Sequence, residues 1–502
     1  MLRLRYLALL AAVACSPVKD ASNVPDAPID STDMRPPMIA SSVPEDMATK
    51  VSILSPISVF FDEALDPSSV SAATVKLGYA QPNPRLILPS FFLEDPHGPV
   101  PAGLTPIEGT VSYDEAAKKV SFVPALPLPY GYVFTQSLDV KDHAGLAFTG
   151  DVHFMTYVNA NTRQFFFDAA LKPSSWLGFP TDMAGWPTKQ IGGSDPGNDT
   201  IWFTADDPRN QHYGYSYAPD GRILDERSFG VGPDGKWDTA DDTTGLCIKY
   251  FYDATQTLKE RAYAGATGPD NMWCTNDDVP IYNWVYVYDA GKLTGFTIDT
   301  DPGADNTWHT TDDVCAVYYD YEYDAQGRKA REIYHTCGGD GRPHTADDSD
   351  IWYYQYEYDA GGNLARKTYV LDAGMDGSFF TPDDVPSQVD RYTRNADGQI
   401  TDTRTSTGPG TDGVWGTDDD SGTRVTQSYN AQKLLDEITT YNAVGTDGVW
   451  GTDDDVIANY HKVTYDVNGN RTDEKQYSVG GDGMWKTDDD RVTVDYDFEL
   501  GK

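Results

Sequence analysis

Between residues 284 and 358 aromatic and polar side chains alternate with a period of two. Trp284, Tyr286 and Tyr288 are followed by Val317, Tyr319, Tyr321 and Tyr323, and then by Trp352, Tyr354, Tyr356 and Tyr358. That period places each set on one face of a pleated sheet. Each run ends in a turn phrase such as YDAGGN, YDAQGR or YDVNGN, and a more polar strand such as LARKTYV returns. Each unit therefore predicts a β-hairpin. Residues 35–157 have another rhythm. Short β-branched runs (VSILSPISVFF, ATVKLGY, GTVSYD, KKVSFVPA, YVFTQSLDV) are broken by Pro, Asp and Gly. Strands at that spacing predict a β-sandwich of roughly 100 residues. The expected class is all-β, a sandwich followed by an extended antiparallel hairpin array.

The hairpins are joined by one acidic loop in nine copies, 35 or 36 residues apart, starting at Gly197, Gly232, Gly268, Gly303, Gly338, Gly374, Gly410, Gly445 and Gly480. The most regular copies read GTDGVWGTDDD. Five columns never change: the first Gly, the Asp two later, the Thr five beyond that Asp, and the closing Asp-Asp pair. The residue after the first Asp is Gly or Asn in eight copies, which predicts a left-handed backbone there. Trp fills the apolar column except at Pro343 and Phe379. The next column holds Phe, Asp, Cys, His and Lys and is expected to face solvent. His309 and His344 fall in it, which argues against a catalytic role for either.

The net charge of -40 disfavours nucleic acid as a partner, because phosphate binding needs a basic face. Two strands per hairpin set successive loops roughly 9–10 Å apart, about one Debye length at physiological salt. Clusters of carboxylates at that spacing repel one another. A hard divalent cation, Ca2+, would offset the repulsion, since it takes carboxylate and carbonyl oxygens in adaptable numbers. The candidate ligands are Asp199, Asp206 and Asp207; Asp234, Asp241 and Asp242; Asp270, Asp277 and Asp278; and Asp305, Asp312 and Asp313. They continue with Asp340, Asp347 and Asp348; Asp376, Asp383 and Asp384; Asp412, Asp419 and Asp420; Asp447, Asp454 and Asp455; and Asp482, Asp489 and Asp490. The spacing is not that of an EF-hand. The same Asp and Thr residues also suit a purely structural turn, in which their side chains bond nearby amides. Both readings stay open at this level.

Arg3 and Arg5 precede an apolar run, Leu7 to Val13, that is too short to span a bilayer and ends in small residues before Cys15. This is the pattern of a secretory signal. The ending Ala12-Val13-Ala14-Cys15 resembles a bacterial lipobox. The resemblance implies cleavage before Cys15, lipid on its sulfur and, with Ser16 next, an outer-membrane address. The expected divisions are a signal peptide (1–14), a tether (15–34), the sandwich (35–157), a junction or cap (158–196) and the hairpin array (197–502). Cys247, Cys274, Cys315 and Cys337 make an even count, which in an exported chain suggests disulfides. Pairing of neighbours is one arrangement and four free thiols are the alternative.

The phrases SSVPEDMATKV, ISVFFDEALDPSSVSAATVKL, GTVSYDEAAKKVSFVPALPLPYGY and LDVKDHAGLAFTGDVHFMT closely resemble the bacterial Ig-like domain first named from S-layer proteins. That likeness implies a surface spacer or adhesive module and brings no catalytic residues. YEYDAQGRKAREIY (321–334) resembles the YD, or RHS-type, repeat, which implies hairpins curling into a sheet, spiral or shell. Some shells of that kind enclose a C-terminal toxin. Here the last hairpin phrase, RVTVDYDFELGK, reaches residue 502, so no cargo is expected. Nine units could form an open sheet, a spiral or a closed ring. The function expected is that of a non-enzymatic, lipid-anchored surface protein with calcium-stabilised repeats, in adhesion, envelope architecture or recognition. Its partners would be the membrane, through the anchor, and a surface protein or glycan that the residues do not name. The alternative is a carbohydrate-binding array, with Trp415 and Trp450 among the stacking platforms. An envelope hydrolase is disfavoured, since catalysis needs a pocket of unique groups.

Overall fold

The computed structural model describes residues 35–80, 104–129, 132–156, 159–167, 173–178, 188–195, 208–209, 211–218, 222–254 and 257–500. Cys15 and the loop carrying Asp199, Asp206 and Asp207 lie outside the described residues. The architecture is all-β, with one short 3-10 turn, Pro67–Ser69, among the described residues.

The N-terminal unit is a two-sheet sandwich. One sheet orders Ile39–Val43, Ile57–Phe61, Lys119–Pro124 and Gly109–Asp114. The other orders Ala48–Val51, Ala147–Thr156, Val133–Lys141, Val75–Ala80 and Thr105–Pro106. Alternation decides which side chains meet between the sheets. Along Val133–Lys141, Phe134, Gln136, Leu138 and Val140 are buried and the residues between them are not. Val59, Phe61, Leu65, Val75, Val120 and Val152 complete one buried cluster with Leu138 and Val140. Each large apolar side chain removed from water in this way contributes about 1.5–3 kcal/mol.

The hairpin array closes on itself. Among the described residues, twenty strands form one barrel in chain order, from Asn159–Phe167 to Arg491–Leu500. The closing ladder pairs those two strands antiparallel, with Gln164 opposite Tyr496 and Phe166 opposite Val494. Of the three shapes nine units allow, the closed ring is the one formed. The segment expected as a junction or cap supplies Asn159–Phe167, Pro173–Gly178 and Lys189–Gly193 to the wall. Among the described residues, closure leaves the barrel no edge strand for another chain to extend.

The period-two aromatics share one face as expected. Tyr215, Tyr250, Tyr286 and Tyr321 pack with Ile223, Ile248 and Phe296. Tyr286 is 5% exposed, while its neighbour Val287, on the opposite face, is 52% exposed. The tyrosine of the turn phrase has a specific task. The Tyr252 hydroxyl donates to the Ile223 carbonyl (2.9 Å), Tyr323 to Leu293 (2.7 Å), Tyr358 to Lys329 (2.7 Å), Tyr429 to Ile400 (2.8 Å) and Tyr465 to Leu435 (2.7 Å). Each bond reaches back to the preceding hairpin, so the recurring tyrosine staples one repeat to the next. Arg394 stands in the same column and reaches the Leu364 carbonyl at 3.5 Å. Tyr323→Phe keeps the ring and removes the staple, leaving the carbonyl of fully buried Leu293 without that donor. A loss of about 1–2 kcal/mol in denaturant unfolding is expected. Unchanged stability would mean that the bond holds nothing.

Two hairpin turns seat the sandwich on the barrel. Leu434 is buried in the same cluster as Ile53, Leu77 and Phe122. The Ser52 hydroxyl donates to the Asn468 carbonyl (2.6 Å), and Lys433 Nζ donates to the Ala125 carbonyl (2.9 Å). Lys433 adopts φ 62° where the equivalent turns use Gly327, Gly362, Gly398 and Gly469. The departure from glycine in this copy thus supplies one of the side chains that hold the sandwich.

Candidate functional site: the acidic loops

Eight acidic loops are described, and all use the same bonds. The first Asp folds the turn. Asp234 Oδ1 accepts from the Lys236 amide at 2.8 Å, and Asp412 Oδ1 from the Val414 amide at 2.7 Å. The next residue then takes positive φ, as at Gly235 (71°), Asn271 (57°), Asn306 (56°) and Gly448 (73°). This is the left-handed bend expected from the Gly or Asn column. The chain returns so that the first member of the Asp-Asp pair accepts the amide of the first Asp: Asp270 N to Asp277 Oδ2 is 3.0 Å and Asp482 N to Asp489 Oδ2 is 3.0 Å. The second member accepts the amide four residues earlier, as in His309 N to Asp313 Oδ2 and Cys274 N to Asp278 Oδ2, both 2.7 Å. Asp305 with Asp312, Asp376 with Asp383 and Asp384, and Asp447 with Asp454 and Asp455 repeat these contacts.

The invariant first Gly has a steric cause. A Cβ on Gly268 would lie 2.0 Å from the Asp277 carbonyl oxygen, and one on Gly303 would lie 2.2 Å from that of Asp312. The two ends of the loop cross in contact there, and any side chain would hold them apart.

The invariant Thr lies at the centre. Its hydroxyl approaches the first Asp of the pair and the carbonyl three residues back: Thr275 Oγ1 is 2.7 Å from Asp277 and 3.3 Å from the Met272 oxygen. Thr417 Oγ1 is 2.7 Å from Asp419, 2.9 Å from Asp420 and 3.1 Å from the Val414 oxygen. Thr345 Oγ1 is within 3.3 Å of Asp340, Asp347, Asp348 and the Arg342 oxygen. One hydroxyl has one proton and can satisfy only one of these acceptors. The remaining oxygens face each other across the loop. In two loops, Asp340, Asp347 and Asp348, and Asp412, Asp419 and Asp420, one oxygen from each carboxylate lies within 4.8 Å of the others. These sets could hold a cation with little rearrangement. The other described triads, including Asp234, Asp241 and Asp242 and Asp482, Asp489 and Asp490, keep the same hydrogen-bond frame with their oxygens wider apart. Hydrogen bonds from Thr and from loop amides hold Asp241, Asp277, Asp312 and Asp489 below the usual carboxylate range. The same bonds hold Asp454 at about 2.

The loops fold over the face opposite the aromatic one. The Tyr318 hydroxyl donates to Asp348 (2.9 Å), Tyr353 to Asp384 (2.7 Å) and Tyr460 to Asp490 (2.8 Å), and Arg424 donates to Asp455 (3.1 Å). In that column Cys247 joins Cys274 by a disulfide, with Cα atoms 5.6 Å apart. Cys315 joins Cys337 at 5.7 Å, so the neighbouring cysteines are the ones paired.

The column after Trp is exposed as expected at Asp238, His309, His344, Phe380 and Lys486, and its backbone is left-handed as well. Asp238, Cys274, His309, His344, Phe380 and Lys486 all have φ between 61° and 69° there. The strained turn aims several of them at the sheet, Phe380 onto Tyr353 and Cys274 into its disulfide. No sequence signal marked this, because glycine appears in the column only at Gly416 and Gly451. In the Trp column, Trp450 packs against the preceding loop. Trp450 is 4% exposed, and its Nε1 donates to the Asp420 carbonyl of the preceding loop at 2.8 Å. A ring so covered offers no sugar platform.

No curated protein matches the chain. Solved structures give distant likenesses. The methionine-rich copper resistance protein PcoC of Escherichia coli is 18% identical over 24% of this chain and 97% of its own, with a TM-score of 0.18. The Tc holotoxin pore of Photorhabdus luminescens is 13% identical over 76% of this chain and 15% of its own, with a TM-score of 0.27. The N-terminal part of the bacterial S-layer protein SbsC is 13% identical over 41% of this chain and 42% of its own, with a TM-score of 0.16. At such TM-scores none of these carries an argument about this chain. The family match is confined to one unit: residues 33–157, the sandwich, match the family described as Bacterial Ig-like domain.

Proposed function

We propose that this chain is a non-enzymatic, lipid-anchored cell-surface protein whose Ig-like domain carries a closed hairpin barrel with a rim of calcium-binding loops. It serves adhesion, envelope architecture or recognition. The observation that carries the calcium reading is the crowding of oxygens on a single hydroxyl, repeated in every described loop and exemplified at Thr345. A hard cation would replace oxygen–oxygen repulsion by coordination, using carboxylates and a carbonyl already turned inward. Eight described loops of one frame, set side by side along a ring, suit a stiff rim better than a single reaction centre.

A loop held at tenfold its dissociation constant stabilises the fold by about 1.4 kcal/mol. Chelator should therefore lower the melting temperature by several degrees, and Ca2+ should restore it where NaCl of equal ionic strength does not. No shift with chelator, together with no calcium in the purified chain, refutes the calcium reading. Loss of membrane association in Cys15→Ala tests the anchor separately.

A further inference from the structure

The loop starting at Gly338 sets two histidines beside a gap in the Trp column. Pro343 replaces the covering Trp, His344 follows it, and His335 stands on the strand Lys329–Thr336 beneath. Tyr318 holds both imidazoles. It stacks on His335 at 4.3 Å and 10°, and meets His344 edge-on at 4.6 Å. His335 is 8% exposed. Its Nδ1 pairs with Asp350 Oδ1 at 2.7 Å, which turns Nε2 the other way. That Nε2 is buried, makes no hydrogen bond, and lies 3.4 Å from Asp320 Oδ2 in ion-pair contact. The same carboxylate oxygen is 3.7 Å from His344 Nδ1. A cavity of about 270 Å³ opens beside Tyr318, Asp320 and His344, across from Gly295.

We propose that Asp320, His335 and His344 bind one borderline divalent transition cation of the Zn2+ class. Ligands at about 2.0–2.1 Å from a tetrahedral zinc stand roughly 3.3–3.4 Å from each other, close to the two spacings around Asp320. The Asp350–His335 pair is the arrangement that fixes a ligand imidazole: a carboxylate takes one ring nitrogen and presents the other to the metal. His344, with a side chain 64% exposed, has room to swing in and close the third edge. The cavity leaves space for water at the fourth position. Imidazole sets this site apart from the all-oxygen loops, which suit calcium.

The test is titration of the full chain with ZnCl2 in excess CaCl2, alongside electron paramagnetic resonance with Cu2+. One equivalent of Zn2+ is expected to bind, with nitrogen couplings in the Cu2+ spectrum. His344→Ala and Asp320→Asn should each weaken binding at least tenfold, and His335→Phe, which keeps the stack on Tyr318, should abolish it. Asp412→Asn should change nothing. His344 is exposed, so a folding defect in His335→Phe leaves the test intact. Zn2+ affinity unchanged in His344→Ala and Asp320→Asn, or a Cu2+ spectrum without nitrogen couplings, overturns the proposal.

Discussion

Gly445→Ala is expected to destabilise the chain by about 3 kcal/mol, the upper end for forcing extra volume into a packed site. Gly448→Ala, three residues on, should cost only about 1 kcal/mol, the ordinary cost of an L-residue in a left-handed turn. The two glycines are required for different reasons. A Cβ on Gly445 would lie 2.1 Å from the Asp454 carboxyl carbon and 2.4 Å from its carbonyl oxygen. Gly448 has φ 73° but open space around its missing side chain. In Gly445→Ala the loop must part where its ends cross, breaking the bonds of Asp454 to the amides of Thr446 and Asp447. Trp450, buried against the preceding loop, reports the change by its fluorescence. Denaturant titration of both variants checks the order. Equal losses would show that backbone conformation, not close approach, keeps the first Gly invariant.

That contrast also shows where the residue pattern was sufficient and where it was not. The alternation of Trp352, Tyr354, Tyr356 and Tyr358 announced a strand and its face, because side-chain direction in a strand follows from period alone. The Gly or Asn after each first Asp announced a left-handed turn, because few other residues tolerate one. The first Gly carried no readable reason, since its neighbour is a carbonyl nine residues away, brought close only by the folded loop. The turn at Lys433 lacks the glycine that its sister turns carry. Its lysine instead makes one of the contacts with the sandwich, and contacts between distant segments leave no local mark.

The candidate site was legible in the same uneven way. Charge and periodicity pointed to the Asp triads, and these do converge with their Thr. The cluster around Asp320 was invisible because its groups come from three strands and a loop, at residues 318, 320, 335, 344 and 350. Comparing copies even argued against His344, because a column that varies looks dispensable. A site built once in a symmetric array must occupy a variable column, so that variation carries the information.

Closure of the barrel was the least legible feature, and it sets the largest expected effect. Asn159–Phe167 lacks the acidic loop and the tyrosine phrase, so nothing in it resembles a partner for Arg491–Leu500. Deleting residues 491–502 removes a strand laddered on both sides, to Arg471–Ser478 and to Asn159–Phe167. With about 1 kcal/mol net for each lost backbone bond, the cost is on the order of 10 kcal/mol, comparable to the whole stability of an ordinary domain. The truncated chain would expose two unpaired edges, and such edges template association. It should elute as oligomers and lose hydrogen-exchange protection first in 159–167 and 471–478. The sandwich has its own two-sheet core and should keep its protection. A peptide of sequence RVTVDYDFEL added in trans should restore both edges, since an extended segment can complete a sheet through its backbone alone. A truncated chain that stays monomeric, with 159–167 still protected, would mean that the barrel does not depend on this ladder for its integrity. The outcome also bears on the rim. Calcium-dependent stability that survives truncation would locate the effect within single loops. Its loss would show that the ring must be closed before neighbouring loops are held near enough to repel.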